Sequence, residues 1–224
     1  MTSTGTRIER ALATRRRMVK AAYDLFCLHG YLGTTVTAVA AEAKVAVPTI
    51  YYTFGTKAVL LSEALGAAIV GFENWREPPP EPVDLSALLP WHLWWTDFQA
   101  APTAHEALAI CIDEGTEILR RVAPLLPAMH GSAGDPDASD FVEKNEAGRF
   151  DAYREMVEVV ASKPDGLRPE LTTRSATEVL AALFSPAVFQ YLATMRWSHS
   201  RCTQFFQELI ANELLGSRSS TAQT

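Results

Sequence analysis

The stretch GTTVTAVAAEAKVAVPTIYYTFGTKAVLL, residues 33–61, constrains the fold more than any other part of the chain. Thr35 can cap a first short helix that ends near Ala43, and Pro48 suits the first turn of a second helix over residues 47–54. Gly55 then breaks the chain, and Thr56 can cap a third helix over residues 57–75. The pattern predicts two short helices joined by a tight turn and followed at once by a third.

The rest of the chain also shows helical periodicity, with no stretch that alternates like a strand. Apolar residues between Met18 and Phe26 form one stripe, which predicts a first helix over residues 14–28 that Gly30 ends. Further helices are predicted over residues 91–98, 103–122, 138–162, 173–196 and 200–215, with a proline-rich connector at 76–84 and a loop at 128–139. We therefore expect an all-α protein of about nine helices.

Charge is distributed unevenly along the chain. Of 224 residues, 48% are hydrophobic, which is ample for a packed core, and the net charge is −6. Residues 1–57 nevertheless carry eight Lys or Arg and three acidic residues, whereas the remainder carries 12 basic and 23 acidic residues. This asymmetry indicates that only the first segment faces a polyanion.

The sequence gives no signal for a metalloprotein, a membrane or exported protein, or an enzyme. Cys27, Cys111 and Cys202 have no metal spacing and are expected to be buried apolar residues in a reducing cytoplasm. No apolar run approaches the roughly 20 residues of a membrane span, and no export signal is seen. The chain has no nucleophile turn, P-loop or dinucleotide fingerprint, so we expect no enzyme and no cofactor. A metal site from His92, His105 or His130 is a remote alternative, and none is predicted.

The basic first segment and the two short helices together predict a helix-turn-helix that binds double-stranded DNA. The second short helix offers compact side chains for base edges, and the residues around it offer donors for phosphates. Lys57, at a helix N-terminus, is the expected phosphate anchor. The candidate DNA contacts are Arg15, Arg16, Arg17, Thr35, Thr37, Lys44, Val47, Pro48, Thr49, Tyr51, Tyr52 and Lys57.

The same stretch resembles the tetracycline-repressor (TetR) family of one-component regulators over about residues 14–61, without a gap. The matching positions are Ala22, Leu25, Phe26, Gly30, Tyr31, Thr35, Val36, Val39, Ala40, Ala43, Val45, Pro48, Thr49, Ile50, Tyr51, Tyr52, Phe54, Lys57 and Leu60. Two positions depart from the family: Lys44 replaces the usual turn glycine, and Ala46 replaces the usual Ser or Thr cap. We expect Lys44 to adopt a left-handed backbone and Ala46 to leave the second short helix without a side-chain cap.

The resemblance implies a homodimer that binds a palindromic operator and a small apolar or aromatic effector that releases it. The last two helices are the expected dimer surface because they are too apolar for a solvent face. The candidate interface residues are Val188, Phe189, Leu192, Phe205, Phe206, Leu209 and Ile210. Candidate ligand residues are Trp91, Trp94, Trp95, Phe98, Glu114, Phe150, Tyr153 and Met156. For both sets, packing inside the core is the alternative.

The predicted domain division follows from these expectations. Residues 1–56 form a DNA-binding domain with a basic arm, residues 57–216 a larger helical domain for effector binding and dimerisation, and residues 217–224 a disordered tail. The main alternative is a helical adaptor or small-molecule-binding protein that keeps the helix-turn-helix scaffold without specific DNA binding. Apolar Ala46 and Val47, where polar side chains often contact bases, favour that alternative.

Overall fold

A computed structural model describes residues 3–75, 89–90 and 92–216, with side chains from residue 8 onward. The described part is all-α, as predicted, and contains no strand beyond an isolated bridge between Leu167 and Leu215. Its helices are α1 (Ser3–Gly33), α2 (Val36–Glu42), α3 (Val47–Phe54), α4 (Lys57–Val70), α5 (Trp94–Ala100), α6 (Ala104–Val122), α7 (Leu126–Gly131), α8 (Pro136–Ala161), α9 (Thr173–Leu183), α10 (Pro186–Thr194) and α11 (His199–Leu214).

The described residues form two compact units. Unit 1 falls within residues 1–82 and 121–144, and unit 2 within residues 83–120 and 145–224. Unit 1 therefore contains α1 to α4, α7, the end of α6 and the start of α8. The predicted boundary at residues 56 and 57 remains a prediction.

The local signals in residues 33–61 are confirmed. The Thr35 hydroxyl accepts a hydrogen bond from the Ala38 N–H and so caps α2, and Thr56 caps α4 in the same way. Lys44 has φ 56°, the left-handed conformation expected where the family has glycine. Ala46 provides no side-chain cap for α3. The turn thus accepts both departures without changing the bounds of α3.

Four predicted helix bounds are wrong. Helix α1 begins at Ser3 and reaches Gly33, although Gly30 inside it is non-helical at φ 68°. Helix α4 ends at Val70, because Gly71 with φ 96° follows it, and does not reach residue 75. Helix α7 occupies part of the predicted loop at 128–139. The predicted helix at 173–196 is two helices, since Ser185 caps a new helix that starts with Pro186.

The predicted connector at 76–84, Trp91 and the tail at 217–224 lie outside the described residues. Among the described residues, Thr173–Thr194 is apolar and long enough to cross a membrane by composition, and its most apolar window is 39% buried. Helices α3 and α4 pass the same test only as a pair bent by 75°. Both findings are weak evidence for a span, because core helices of other proteins share these properties.

Candidate functional site

Helix α3 has one face in the core of unit 1 and one face in solvent. Ile50 and Phe54 are 2% and 4% exposed and anchor the helix. Pro48, Tyr51 and Tyr52 are exposed, Tyr51 by 53% and Tyr52 by 93%, whereas Val47 and Thr49 are half-buried. Five predicted contact residues therefore lie on one short helix, with two phenol groups in solvent.

The residues around α3 extend this surface. Thr37 and Lys44 are exposed, on α2 and in the turn before α3. Thr35 is exposed as well, and its oxygen already accepts the capping bond from Ala38 N at 3.1 Å. Its hydroxyl proton remains available to a phosphate oxygen, so the cap and a DNA contact are compatible.

The three predicted arginines differ in their surroundings. Arg15 makes a two-point ion pair with the buried carboxylate of Glu63, in which Nε lies 2.9 Å from Oε2, and its guanidinium lies over the Phe54 ring. Arg16 donates from Nε to the Trp75 carbonyl at 2.9 Å. Arg17 is exposed. The phosphate role predicted for all three is therefore carried forward for Arg17 alone.

Lys57 also makes internal contacts, which the sequence did not reveal. Its Nζ donates to the Tyr31 carbonyl at 3.0 Å and the Thr34 carbonyl at 3.3 Å, and lies 4.0 Å from the centroid of the Tyr31 ring. Two of its three protons are therefore directed at the end of α1. Lys57 stabilises the helix-turn-helix from within, and at most one proton is left for a phosphate.

The Tyr31 phenol joins this part of the chain to the first turn of α8. Its hydroxyl donates to Asp135 Oδ2 at 2.6 Å, while Asp135 Oδ1 accepts from the backbone N–H groups of Asp137 and Ala138. The hydrogen bond from Tyr31 lowers the pKa of the Asp135 carboxyl, and burial together with this bond raises the pKa of Tyr31. Helix α8 thus begins on a residue bonded to the helix-turn-helix.

A second link connects the end of α6 to α4. Arg121 donates from Nε to the Ala68 carbonyl at 2.7 Å and from Nη2 to the Ile69 carbonyl at 3.2 Å. These carbonyls belong to the last turn of α4, where a cation is favoured by the helix dipole. Tyr23 on α1 donates to the Arg121 carbonyl at 2.7 Å. Helices α1, α4 and α6 therefore meet at one arginine.

A comparison with protein families matches residues 18–64 to the bacterial regulatory proteins of the tetR family. The match includes α2, the turn at Lys44, α3 and the start of α4, in the register described above. Over these residues the chain is similar to the tetR family. Regulators of that family are ligand-responsive DNA-binding repressors.

Solved structures share the fold of this chain. NalD of Pseudomonas aeruginosa, the secondary repressor of the MexAB-OprM multidrug efflux pump, is 20% identical with a TM-score of 0.61, over 92% of this chain and 98% of NalD. FadR of Bacillus subtilis, in complex with stearoyl-CoA, is 17% identical with a TM-score of 0.64, over 87% and 96%. A protein of Saccharomonospora viridis in complex with choline is 17% identical with a TM-score of 0.64, over 91% and 98%. A search of curated proteins found no sequence match.

The predicted ligand residues lie mostly in the core of unit 2. Trp94, Trp95 and Phe98 are buried and in mutual ring contact. Tyr153 and Met156 are buried, Phe150 is half-buried, and Tyr153 donates to the Phe184 carbonyl at 2.6 Å. Glu114 is exposed, so the predicted carboxylate in an apolar setting is wrong. Of the predicted ligand residues that the structure describes, Trp95 is the one that lines an open groove of about 760 Å³. Glu155 and Glu158 line the same groove.

The predicted dimer residues divide into two groups. Phe189, Leu192, Phe206 and Ile210 are buried within unit 2, as the core alternative holds. Val188, Phe205 and Leu209 are half-buried. Two exposed residues lie in the same region, Tyr191 at 66% and Met195 at 46%. Met195 belongs to the apolar surface expected from the sequence, whereas Tyr191 was not predicted, although it lies at helical spacing from Val188.

Among the described residues, no group of three or more His, Cys, Asp or Glu residues is arranged to hold a metal ion. Burial raises the pKa of Cys111 to about 12 and that of Cys27 to about 11, which disfavours thiolate formation at neutral pH.

Proposed function

We propose that the chain is a ligand-responsive repressor that binds a palindromic operator as a homodimer. The observation that carries the proposal is the solvent face of α3, where Tyr51 and Tyr52 stand exposed on a helix that Ile50 and Phe54 anchor. An anchored helix with compact exposed side chains fits the major groove. The DNA contacts we retain are Arg17, Thr35, Thr37, Lys44, Val47, Pro48, Thr49, Tyr51 and Tyr52.

Selection of binding sequences from a random duplex pool tests this proposal. We expect a palindrome whose half-sites lie about one helical turn apart, with affinity that falls steeply with salt. Tyr52→Ala should reduce operator affinity by about tenfold, because a lost contact to DNA costs about 1–3 kcal/mol. Its unfolding temperature should not change, since the side chain is 93% exposed.

Leu93→Ala is the matched control, because Leu93 is 90% exposed and lies in unit 2. Operator affinity should be the same in this variant as in the unaltered protein. Enrichment of no sequence, or equal affinity in Tyr52→Ala and Leu93→Ala, would refute specific DNA recognition by α3. That result would favour the alternative that this chain is a helical adaptor, which keeps the helix-turn-helix scaffold without binding a specific DNA sequence.

The homodimer is proposed from the apolar surface of α10 and α11. Tyr191 and Met195 are exposed on α10 and just beyond it, while Phe205 and Leu209 of α11 are half-buried. Exposed apolar clusters of this kind mark protein interfaces. Light scattering should give twice the mass of one chain at micromolar concentration, and Tyr191→Asp should lower this mass. A monomeric mass for the unaltered protein would refute the homodimer.

The effector is proposed to be a small apolar or aromatic molecule that acts through unit 2. FadR of Bacillus subtilis binds stearoyl-CoA, and the protein of Saccharomonospora viridis binds choline. The groove beside Trp95 supports a cationic effector through Glu155, whereas Glu158 pairs at 3.9 Å with Arg154, which lines the same groove. Choline should quench tryptophan fluorescence, and Glu155→Gln should weaken this quenching. Quenching by no aromatic or cationic compound would refute this choice of effector.

Coupling between effector and operator is proposed to be a shift between two conformations. Helices α6 and α8 each supply one of the contacts described above, Arg121 to the end of α4 and Asp135 to Tyr31. A displacement of either helix would therefore disturb the frame that holds α3. Because its target is chromosomal DNA, the regulator is proposed to act in the cytoplasm, without enzymatic activity.

A further inference from the structure

A second recess lies in unit 2, apart from the groove beside Trp95. It is formed by the first turns of α6 and the last turns of α11, and its volume is about 520 Å³. This volume is within the range of about 300–1,000 Å³ that small-molecule sites occupy. None of the residues predicted from the sequence to bind a ligand lines it.

The backbone on one side of the recess is fixed by contacts between residues 166–168 and the end of α11. The Arg168 N–H donates to the Leu214 carbonyl at 2.9 Å, and Leu167 forms an isolated bridge with Leu215. The Arg168 side chain is half-buried and lines the recess. Its nearest carboxylate oxygen belongs to Glu170 at 3.9 Å, a distance too long for a hydrogen bond. A guanidinium on a fixed backbone therefore retains donors for a ligand.

Three other polar side chains of the recess make no hydrogen bond within the described part of the chain. They are His105 on α6 and Gln207 and Asn212 on α11. Glu208 accepts one bond from Gln204 Nε2 at 2.9 Å through Oε1, which leaves Oε2 for another donor. The recess thus combines a cation, two amides and an acceptor.

The remaining walls are apolar. Leu108 and Leu215 are buried beneath the recess, and Ala109 and Ala211 face it from α6 and α11. Gln207 and Ala211 are four residues apart on one face of α11, and Leu215 directly follows the end of that helix. An aliphatic side chain of a ligand can therefore lie along this face while its polar groups reach the rim.

We propose that this recess binds a small N-acyl amino acid with an aliphatic side chain. Arg168 would pair with the carboxylate, which matches a guanidinium in geometry and charge. The amides of Gln207 and Asn212 can donate to the acyl carbonyl, and Glu208 Oε2 can accept the amide N–H. Leu108 and Leu215 would contact the aliphatic group. The site is independent of the operator proposal, because it does not involve unit 1.

Calorimetric titration of the full chain with N-acetyl-L-leucine, in the absence of DNA, tests the site directly. We expect saturable binding with one site per chain. Arg168→Gln should weaken it at least about tenfold, since a charge-assisted hydrogen bond is lost. N-acetyl-L-leucinamide, which lacks the carboxylate, should bind the unaltered protein as weakly as N-acetyl-L-leucine binds Arg168→Gln.

Arg174→Gln is the matched control, because Arg174 lies on α9 in the same unit and its side chain is 85% exposed. Its affinity for N-acetyl-L-leucine should be unchanged. Gln207→Leu, which keeps the surface helix and removes an amide, guards against a folding defect in Arg168→Gln and should also weaken binding. Undetectable binding of N-acetyl-L-leucine at millimolar concentration, or equal affinity in Arg168→Gln and Arg174→Gln, would overturn the proposal. Failure of operator selection would leave these titrations unaffected.

Discussion

Replacing Tyr31 with phenylalanine removes one hydrogen bond and leaves a buried ring in place. Tyr31 is 2% exposed, and its hydroxyl donates to the Asp135 carboxylate at 2.6 Å. Hydrogen bonds to charged groups contribute about 1.5–3 kcal/mol. Asp135 keeps its bonds from the backbone of α8 and remains partly accessible to water, so we reduce the expected loss to about 1–2 kcal/mol. At about 2–4 °C per kcal/mol for a chain of this size, the unfolding temperature should fall by about 2–8 °C.

The loss should depend on pH in a direction fixed by the two pKa shifts. The pKa of Asp135 is lowered from 3.8 in the folded state, so the stability that it contributes is present above pH 3.8 and is lost as pH falls through its folded value. The pKa of Tyr31 is raised from 10.0, so its contribution is present below pH 10.0 and is lost as pH rises further. The two proteins should differ most between these limits and converge outside them.

Thermal unfolding followed by circular dichroism from pH 2.5 to 8 measures this difference. Tyr23→Phe is a matched control, because Tyr23 donates to the neutral carbonyl of Arg121 in the same unit. The free energy of unfolding of the Tyr23→Phe protein should be lower by about 1 kcal/mol at every pH in that range. A Tyr31→Phe protein as stable as the unaltered one at pH 7, or a loss that does not change below pH 4, would refute the role given to the bond.

Three further predictions concern packing, charge and thiol reactivity. Arg15→Gln should lower the free energy of unfolding by about 3 kcal/mol because it removes the guanidinium that pairs with the buried Glu63 carboxylate, whereas Arg15→Met with Glu63→Leu should be much closer to neutral in chemical denaturation. Gly66→Ala should destabilise by about 1–3 kcal/mol, since the new Cβ would lie 2.5 Å from a buried indole, whereas Gly131→Ala meets no atom within 4 Å and should not. Cys111, whose pKa is raised to about 12, should resist a thiol reagent at pH 8 until the protein unfolds, and rapid labelling of the native state would contradict its burial.

The sequence predicted those parts of the fold whose causes are local. The caps at Thr35 and Thr56, the left-handed Lys44 and the bounds of α3 each depend on residues within one turn. The break in front of Pro186 was equally local and could have been predicted, because proline removes a donor within a helix. The start of α1 could also have been predicted in part, because Ile8, Ala11 and Leu12 lie at helical spacing ahead of the apolar stripe.

The parts of the candidate site that sequence analysis missed depend on contacts between distant residues. Tyr31 and Asp135 are 104 residues apart, and Tyr23 and Arg121 are 98 apart. No periodicity or spacing pairs such residues in a single sequence. The aromatic cluster at Trp94, Trp95 and Phe98 shows a different limit of sequence analysis. Aromatic residues at helical spacing fit a ligand pocket and a packed core equally well.

Lys57 and the arginines of α1 show why charge counts overestimate contacts with DNA. Lys57, Arg15 and Arg16 direct their donors to carbonyl or carboxylate oxygens of unit 1, while Arg17 and Lys44 are exposed. Only cations that exchange counterions for phosphates contribute to the salt dependence of binding. The basic excess of residues 1–57 therefore has two separate effects. Part of it holds α1 and α4 together beneath α3, and only a smaller part remains for the proposed contacts with phosphates.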